Sequence, residues 1–331
     1  MEESQNLNSV SVVSQTWLRD SHNLFDYESR NVLPREMTVG VPCNLVRQDS
    51  SVHVLPQEAE LVSAEAAPLL SIGEADGRVL VNSEQGGLWY ILRYIEGGTV
   101  LKEGDVVKLG RVSVRVKAIK TTEDSDSGAQ TQESSDEEPS DHLGHCKICF
   151  SEEAVPDNPL IAPCLCSGSV QYIHLQCLQQ WIDSRKIVRQ STNCVNSIWK
   201  SMSCELCKAP YPAKVSNNGK TFPLVTPDGH TVPYIVFEPA DNSQTPGVQV
   251  VSFTQKGPVY IGRGHDSDIR IPDISVSRSH AVLHFADGQF VLEDRGSKFG
   301  TLVRGCEAAE LTRGVPLTVQ SGRTVFTVTL A

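Results

Sequence analysis

The C-terminal third of the chain alternates short apolar runs with turn residues, and this pattern predicts β-strands. The runs are VQVVSFT (248–254), VYIG (259–262), DIRI (268–271), AVLHF (281–285) and FVLED (290–294). Short strands rich in β-branched and aromatic residues, bounded by polar turns, are typical of a β-sandwich. Ala286–Asp287–Gly288, between two of these runs, predicts a hairpin turn.

The N-terminal part contains two further runs, LWYILRYI (88–95) and VSVRVKAI (112–119), that predict strands. A weak internal repeat links this part to the end of the chain, because VLKEGDVVKLGRVSVRV resembles ELTRGVPLTVQSGRTVFTV. Both segments place an apolar residue, a Gly, an alternating strand, a Gly–Arg pair and another strand in the same order. One repeat leaves two interpretations of residues 36–120 open: a decayed cousin of the C-terminal sandwich, or an unrelated β-rich domain.

Charge divides the chain at one segment. Of the net charge of −11, residues 121–141 carry −8, with eight acidic residues and no Lys or Arg. This composition, rich in Ser and poor in apolar residues, predicts a solvated, disordered linker. The remainder is near neutral and has no basic stripe that could follow a phosphate backbone, which argues against nucleic acid as the main partner.

The chain of 331 residues is long enough for two or three domains. Its N-terminus is polar and acidic, so no signal peptide is expected, and no apolar run is long enough for a transmembrane helix. We therefore expect a soluble intracellular protein of the cytoplasm or nucleus, without membrane insertion. Thiols stay reduced in those compartments, so clustered cysteines among the ten in the chain indicate metal binding.

The cysteine-rich middle of the chain reads C-x2-C-x14-C-x-C-x7-H-x2-C-x26-C-x2-C. Its eight potential ligands are Cys146, Cys149, Cys164, Cys166, His174, Cys177, Cys204 and Cys207. Zinc takes four thiolate or imidazole ligands in a tetrahedron, so eight ligands in four pairs predict two zinc ions. The other cysteines, Cys43, Cys194 and Cys306, fall outside this spacing and are interpreted as structural or surface residues.

The ligand order resembles the RING-CH (RING-variant) zinc-finger family, supported by YIHLQCLQQWI and CELCK. The PHD finger, which would make this a histone-tail binder, is similar in ligand order but has a shorter gap before the histidine. The RING-CH resemblance implies a small cross-braced α+β domain. Cys146, Cys149, His174 and Cys177 would hold one ion, and Cys164, Cys166, Cys204 and Cys207 the other. The 26 residues before Cys204 are expected to form an irregular insertion.

Leu178, Trp181 and Ile182 have the spacing of one face of a short helix. By the same resemblance, Trp181, Ile148 and Lys208 match positions at which RING ubiquitin ligases contact a ubiquitin-conjugating enzyme. Trp181 could also simply be core. The implied activity is that of a RING-type ubiquitin-protein transferase with no catalytic residue of its own. It would act by positioning the charged conjugating enzyme, while both zinc sites are structural.

The C-terminal segment resembles the forkhead-associated (FHA) domain, an all-β sandwich that binds phosphothreonine. The resemblance is carried by Gly262–Arg263, Ser277–Arg278–Ser279–His280 and Phe299–Gly300–Thr301. It implies that Arg263 and Ser277 hold the phosphate. The predicted roles of the others are added charge for Arg278, a pocket-rim position for Lys298, and loop structure for Gly262, His280 and Gly300. Phe299 stands where the family usually has an Asn that fixes the peptide backbone.

The predicted domain organisation has six parts in chain order. They are a poorly ordered N-terminal segment (1–35), a β-rich region with FHA-like character as one interpretation (36–120), the acidic linker (121–141), the RING-CH zinc finger (142–212), a second linker (213–229) and the FHA domain (230–331). The expected function is a RING-CH ubiquitin ligase that binds phosphorylated partners. The alternative is a non-enzymatic phospho-dependent adaptor or PHD-like binding protein whose zinc domain only mediates protein contacts. A phosphorylated linker, at Thr121 or Ser134–Ser135, is a further candidate ligand of the FHA pocket.

Overall fold

The computed structural model describes residues 9–19, 22–59, 66–84, 87–122, 144–199, 202–212, 214–225, 230–240, 247–305 and 308–331. Residues 123–141 of the acidic linker and Cys306 lie outside this set. The chain forms two compact units, one of Met1–Val116 with Gly257–Ala331 and the other of Lys117–Lys256. Both are mostly β-structure, which confirms the predicted multidomain fold class.

The first unit takes ten strands from the N-terminal part of the chain. They are β1 (Ser9–Trp17), β2 (Val32–Gly40), β3 (Cys43–Gln48), β4 (Ser51–Pro56), β5 (Ala67–Ala75), β6 (Arg78–Ser83), β7 (Trp89–Ile91), β8 (Thr99–Val100), β9 (Val106–Leu109) and β10 (Val112–Lys120), the last of which runs on past the end of this unit at Val116. A 3-10 helix, Leu92–Tyr94, occupies part of the predicted run 88–95.

The second unit contains eight strands and the single α-helix of the described residues. Its elements are β11 (Leu160–Ile161), a 3-10 helix (Gly168–Val170), β12 (Ile173–His174), α1 (Leu175–Asp183), β13 (Ile187–Gln190), β14 (Cys194–Ile198), β15 (Lys214–Asn217), β16 (Lys220–Pro223), β17 (Tyr234–Pro239) and β18 (Gln249–Phe253). None of the helices in the described residues has the length and apolar character needed to cross a membrane.

The C-terminal part returns to the first unit with eight more strands. They are β19 (Val259–Gly262), β20 (Ile269–Arg270), β21 (Ala281–Ala286), β22 (Gln289–Asp294), β23 (Thr301–Arg304), β24 (Ala308–Glu310), β25 (Leu317–Ser321) and β26 (Thr324–Leu330). Asp287 and Gly288 both have positive φ, 52° and 76°, between β21 and β22. The hairpin turn predicted at this point is therefore present.

Three sheets build the first unit. Two of them have five strands each, in the orders β20-β19-β21-β22-β8 and β24-β6-β5-β3-β4. The third has the order β10-β9-β23-β7-β25-β26-β1-β2 within this unit. Each sheet therefore combines strands from the N-terminal and C-terminal parts of the chain, and the buried core between them is shared.

The N-terminal segment differs from its prediction as a poorly ordered stretch, because Ser9–Trp17 forms strand β1. Val10 and Val12 are fully buried at alternate positions, and β1 pairs with β2 on one side and β26 on the other. The strand is stabilised by a partner about 310 residues away in the sequence, such as Thr324 opposite Thr16. Local sequence reasoning cannot see such a partner.

In the second unit, α1 is the predicted helix, and its buried residues include Leu178 and Ile182. The expected irregular insertion before Cys204 is instead a β-hairpin, β13–β14, which continues into a sheet with β18 and β17. The predicted linker 213–229 also contains a hairpin, β15–β16. Apolar residues such as Val215 bury this hairpin against the zinc-finger core.

The predicted start of the FHA domain at residue 230 also differs from the structure. Strands β17 and β18, which precede Lys256, belong to the second unit. Tyr234, Val236 and Val250 from these strands share one apolar cluster with Leu178 of α1. The zinc-finger segment therefore folds around a common core with residues on both sides of it in the sequence.

Candidate functional sites

The first metal cluster consists of Cys146, Cys149, His174 and Cys177, whose ligand atoms all lie within 4.8 Å of one another. Cys146 and Cys149 sit on a tight turn closed by the hydrogen bond from Phe150 N–H to Cys146 O (2.8 Å). His174 ends β12 and Cys177 lies in the first turn of α1, three residues later. This spacing directs both side chains to the same side of the helix N-terminus.

The imidazole of His174 is oriented by a backbone contact. Its Nε2 lies 2.8 Å from Glu153 O, while Nδ1 lies 3.2 Å from Cys149 Sγ. If Nε2 carries the proton and donates it to this carbonyl, Nδ1 is left as the ligand atom. A hydrogen bond from the second ring nitrogen to a backbone carbonyl is usual for a metal-bound histidine. His174 is therefore oriented to ligate through Nδ1.

The second cluster consists of Cys164, Cys166, Cys204 and Cys207, also within 4.8 Å of one another. Cys166 Sγ and Cys204 Sγ are 3.6 Å apart. Tetrahedral zinc with Zn–S bonds of about 2.3 Å separates its sulfur atoms by roughly 3.8 Å, so this spacing fits a zinc ion. The turn at Cys204–Cys207 is closed by Lys208 N–H donating to Cys204 O, with Lys208 at φ 61°.

Within each cluster the pKa values of the thiols are shifted in opposite directions. Burial acts to raise the pKa of Cys146 and of Cys204, but hydrogen bonds from nearby backbone N–H groups outweigh it and hold both at about 6. For Cys166 and Cys177, burial and the neighbouring sulfur atoms raise the pKa to about 12. Four thiolates, or three with an imidazole, are stable together only when positive charge lies between them. The domain binds two zinc ions.

Trp181 and Lys208 line one groove of about 320 Å³ at the surface of the second unit. Trp181 is half-buried and Lys208 is exposed. The residues that line the groove are Trp181, Ile182, Arg185, Trp199, Met202, Ser203, Glu205 and Lys208. Ile148, with 41% of its surface exposed, is not among them. The structure therefore brings together two of the three residues expected to contact a conjugating enzyme.

Sequence reasoning missed Arg185, which stacks on Trp181 with its Cζ 4.3 Å from the ring centroid. Arg185 also pairs with Glu205 (2.6 Å). Arg185 follows Trp181 by four residues, just beyond the end of α1, so the helical i, i+4 spacing could have indicated the contact.

Cys43 and Cys194 are the two remaining cysteines that the structure describes, and both are buried.

The predicted phosphopeptide residues lie at the end of the first unit formed by β19 and the loops before β21 and β23. Arg263 and Arg278 are exposed, and neither forms an ion pair with any described residue. Ser277 Oγ accepts a hydrogen bond from Lys298 N–H (3.0 Å). Its hydroxyl proton is therefore available to a ligand oxygen, beside guanidinium groups suited to phosphate.

Gly262 and His280 hold these loops in contact. A Cβ at Gly262 would lie 2.2 Å from Arg278 O, so only glycine allows this approach. His280 Nδ1 accepts a hydrogen bond from Ser277 N–H (2.9 Å), and Nε2 contacts Gly300 O (3.1 Å). Burial lowers the pKa of His280 and keeps the ring neutral, as a group that must both accept and donate requires.

Lys298 and Phe299 both contact residues of the N-terminal part of the chain, which the sequence did not predict. Lys298 Nζ lies 3.4 Å from Oδ2 of Asp26, a buried carboxylate of the N-terminal part. The Phe299 ring packs 6.0 Å from Trp17 within an apolar cluster. Phe299 is therefore a packing residue in place of the family's amide. The contact with Asp26 could not be predicted from the sequence, because Asp26 lies in no motif and is far from Lys298 along the chain.

Comparison with known proteins identifies both modules. Residues 146–207 match the RING-variant domain and residues 259–325 match the FHA domain. Relatives include the E3 ubiquitin-protein ligase MARCHF7 of Rattus norvegicus, 40% identical over 76 residues, which are 23% of this chain and 10% of the relative. The ERAD-associated E3 ubiquitin-protein ligase DOA10 of Saccharomyces cerevisiae is 36% identical over 69 residues, 21% of this chain and 5% of the relative.

A third relative, the probable E3 ubiquitin-protein ligase MARCHF10 of Rattus norvegicus, is 36% identical over 103 residues, 29% of this chain and 12% of its own. The chain thus spans between 5% and 12% of the length of these curated relatives. The likeness concerns the zinc module, and it supports the RING-CH interpretation over the PHD finger.

Proposed function

We propose that this protein is a RING-CH ubiquitin-protein ligase, in which the zinc module binds a ubiquitin-conjugating enzyme and the FHA module binds a phosphothreonine partner. The observation that carries the first part is the groove in which half-buried Trp181 and exposed Lys208 lie together. The relatives that match the zinc module are named ubiquitin ligases.

The zinc ions contribute structure to this activity, because each cluster supplies four protein ligands and leaves no position open for water. Cys177 is a ligand within α1, and Trp181 lies one turn further along the same helix. The coordination therefore fixes the helix that presents the indole. Lys208 is fixed in the same way, since it follows Cys207 directly in the turn of the second cluster.

The chain's own residues then act by binding and orientation. Trp181 offers apolar contact area, Lys208 offers an ammonium donor, and Ile148 offers a second, exposed apolar contact. A conjugating enzyme held in this way presents its thioester-linked ubiquitin to a substrate lysine, and the rate gain comes from restricting the geometry. Arg263 and Ser277 would meanwhile bind the phosphorylated partner.

The ligase proposal is tested by incubating the full chain with activating enzyme, a panel of conjugating enzymes, ubiquitin and ATP. We expect ubiquitin chains that disappear in Trp181→Ala while zinc content stays at two ions per chain. Val188→Ala is the matched control, because Val188 is an exposed apolar residue of the same unit outside the groove. A protein that forms no chains with any conjugating enzyme would instead be the non-enzymatic adaptor.

The phosphopeptide proposal is tested by measuring the affinity of the full chain for matched phosphothreonine and plain peptides. Arg263→Ala should remove the preference for the phosphorylated form, because it deletes a guanidinium that no acid of the described residues neutralises. Arg30→Ala, an exposed arginine of the N-terminal part, should leave the preference intact. Equal binding of both peptides by the unaltered chain would refute the proposal.

A further inference from the structure

The two five-stranded sheets of the first unit have corresponding strand orders. Four consecutive strands of the N-terminal part are arranged β4-β3-β5-β6, and four of the C-terminal part are arranged β20-β19-β21-β22. Each sheet is then completed by a strand from the other part, β24 beside β6 and β8 beside β22. The arrangements differ at one edge, where β3–β4 is antiparallel and β19–β20 is parallel.

The remaining strands follow the same exchange. At the centre of the large sheet, β7 of the N-terminal part pairs with β23 of the C-terminal part. On the far side of β23 lies β9, and on the far side of β7 lies β25. The strand that follows Gly300 therefore has an N-terminal neighbour on both sides, so the C-terminal module does not complete its own sheet.

The weak sequence repeat coincides with this structural correspondence. Each copy of the repeat contains two glycines, and all four have positive φ. Gly104 (φ 92°) corresponds to Gly314 (φ 71°), and Gly110 (φ 60°) corresponds to Gly322 (φ 56°). Positive φ at matched positions is a strong constraint, because L side chains rarely adopt it. An arginine follows the second glycine of each pair, Arg111 and Arg323.

Each of these two arginines contacts a loop of the opposite part of the chain, although the two loops are not equivalent in the strand order. Arg111 Nε donates to both carboxylate oxygens of Asp273 (3.0 and 2.8 Å), in the segment between β20 and β21. Arg323 Nη2 donates to the backbone oxygen of Asp49 (2.6 Å), in the turn between β3 and β4. Each part of the chain thus holds a loop of the other.

Only the C-terminal loops carry phosphate-binding chemistry. Arg263 is the residue directly after β19, and the residue directly after the corresponding strand β3 is Asp49. The sequence 57–66, between β4 and β5, contains three glutamates and no basic residue, whereas the corresponding segment before β21 contains Ser277, Arg278 and His280. Acidic residues repel an anion, so this sequence does not match the phosphate-binding chemistry of the C-terminal loops.

The N-terminal part instead supports both loops of the C-terminal pocket. Beside the Arg111–Asp273 pair, Arg111 N–H donates to Ser275 Oγ (3.0 Å), two residues before Ser277. At the other loop, Arg93 Nη2 donates to Ser297 O (2.6 Å). Tyr27 N–H donates to Lys298 O (2.9 Å).

We propose that residues 9–116 are a second FHA-type repeat, strand-exchanged with the first, that holds the phosphopeptide loops in place without binding phosphate. Arg111 is its main positioning residue, because it fixes Asp273 and Ser275 ahead of Ser277. The identity of the ligand in this inference rests on the proposed phosphopeptide function, whereas the contacts that hold the loops do not depend on it. Loops fixed in advance lose less entropy when a peptide binds, so loosening them weakens affinity.

The test compares Arg111→Ala with Arg323→Ala in the full chain. Arg323 is the matched control, because it occupies the same position in the repeat but contacts the turn at Asp49 and not the predicted phosphopeptide loops. The probe is a phosphothreonine peptide library with randomised flanking positions, with its plain counterpart as reference. Arg111→Ala should bind the phosphorylated library about tenfold more weakly. It should also speed amide hydrogen exchange in residues 273–278, whereas Arg323→Ala should change neither.

A double-variant comparison separates positioning from general destabilisation. Arg111 acts through Asp273, so Arg111→Ala should cost little more affinity when Asp273→Ala is already present. Equal effects of Arg111→Ala and Arg323→Ala on affinity and exchange would overturn the inference. If the unaltered chain shows no preference for the phosphorylated library, the phosphopeptide function fails, and faster exchange of residues 273–278 in Arg111→Ala alone still decides whether Arg111 holds the loop.

Discussion

Lys147 Nζ lies 3.7 Å from Cys164 Sγ, although Lys147 directly follows Cys146, a ligand of the other cluster. The same ammonium group lies 4.0 Å from Cys166 Sγ and 3.8 Å from Cys204 Sγ. Four thiolates around a zinc ion leave two net negative charges, which a nearby ammonium stabilises. Lys147 therefore places its charge at the second cluster, while its backbone lies in the turn that holds the first.

Lys147→Gln should lower the zinc affinity of the second cluster by about ten- to a hundredfold, the usual effect of losing an outer contact of a metal site. Competition with a chromogenic chelator measures this as earlier release of one of the two ions. Lys220→Gln, which removes an equal charge from hairpin β15–β16, is the control. Identical release curves for the two variants would show that Lys147 contributes nothing to the site.

Zinc removal should loosen strands that lie well beyond the ligands. Leu178 of α1 shares one apolar cluster with Tyr234 and Val236 of β17 and Val250 of β18. Because this core is organised around the coordinated segments, a chelator should accelerate amide exchange in β17 and β18 as well as in residues 146–207. Full protection of β17 and β18 after loss of both ions would mean that these strands are stable without the zinc module.

Asp26→Asn should tighten phosphopeptide binding. The substitution keeps an oxygen for the hydrogen bond from Glu28 N–H (3.0 Å) but removes the carboxylate that pairs with Lys298. Without this carboxylate, the ammonium group of Lys298 is free to pair with a phosphate, and one negative charge beside the pocket is removed. The expected gain in phosphopeptide affinity is about two- to fivefold. Peptide titration of Glu28→Gln, an exposed acid with the same charge change, supplies the comparison; a similar gain there would point to net charge alone.

Acid should destabilise the loop that His280 holds. Burial lowers the pKa of His280 from its ordinary 6.5, and the contact with Gly300 O and the charge of Asp294 only partly oppose this, while Arg93 adds to it. The unfolded chain therefore takes up a proton at higher pH than the folded chain. Stability from the neutral ring is complete above 6.5 and is lost as the pH falls below that value towards the lowered pKa.

Amide exchange of Ser277 measured between pH 7.5 and 5.5 checks this, after correction for the intrinsic rate. The free energy of opening should fall with decreasing pH in the unaltered chain. In His280→Gln it should be lower throughout but nearly independent of pH, because the titrating group is gone. A slope that survives the substitution would assign the effect to other groups.

The sequence predicted the zinc chemistry of the RING-variant module better than the architecture of the chain. Ligand spacing alone indicated two zinc ions, because four pairs of cysteine and histidine residues at such intervals match the ligand sets of two tetrahedral sites. The strand runs 259–262 and 281–285 and the hairpin at Asp287–Gly288 are local features, and the structure contains them. By contrast, strand β1 and the hairpin β13–β14 depend on distant partners, so local patterns could not place them.

The positioning residues were harder still to predict. Arg111 and Asp273 are 162 positions apart, and neither belongs to a recognised motif. Only the pairing of the two Gly–Arg turns in the internal repeat gave a signal, and it was too weak to assign a role. Arg185 was closer to prediction, since its distance from Trp181 is a helical one.

The pairing of β1 with β26 has a consequence for biosynthesis. During translation, the N-terminal strands leave the ribosome long before residues 324–330 exist, so one edge of β1 lacks its partner until those residues have been made. The zinc module is contiguous in sequence and can fold earlier, while Val10 and Val12 remain unprotected. Strands without their partners are open to wrong pairing, so folding of this chain should be assisted by chaperones that protect them.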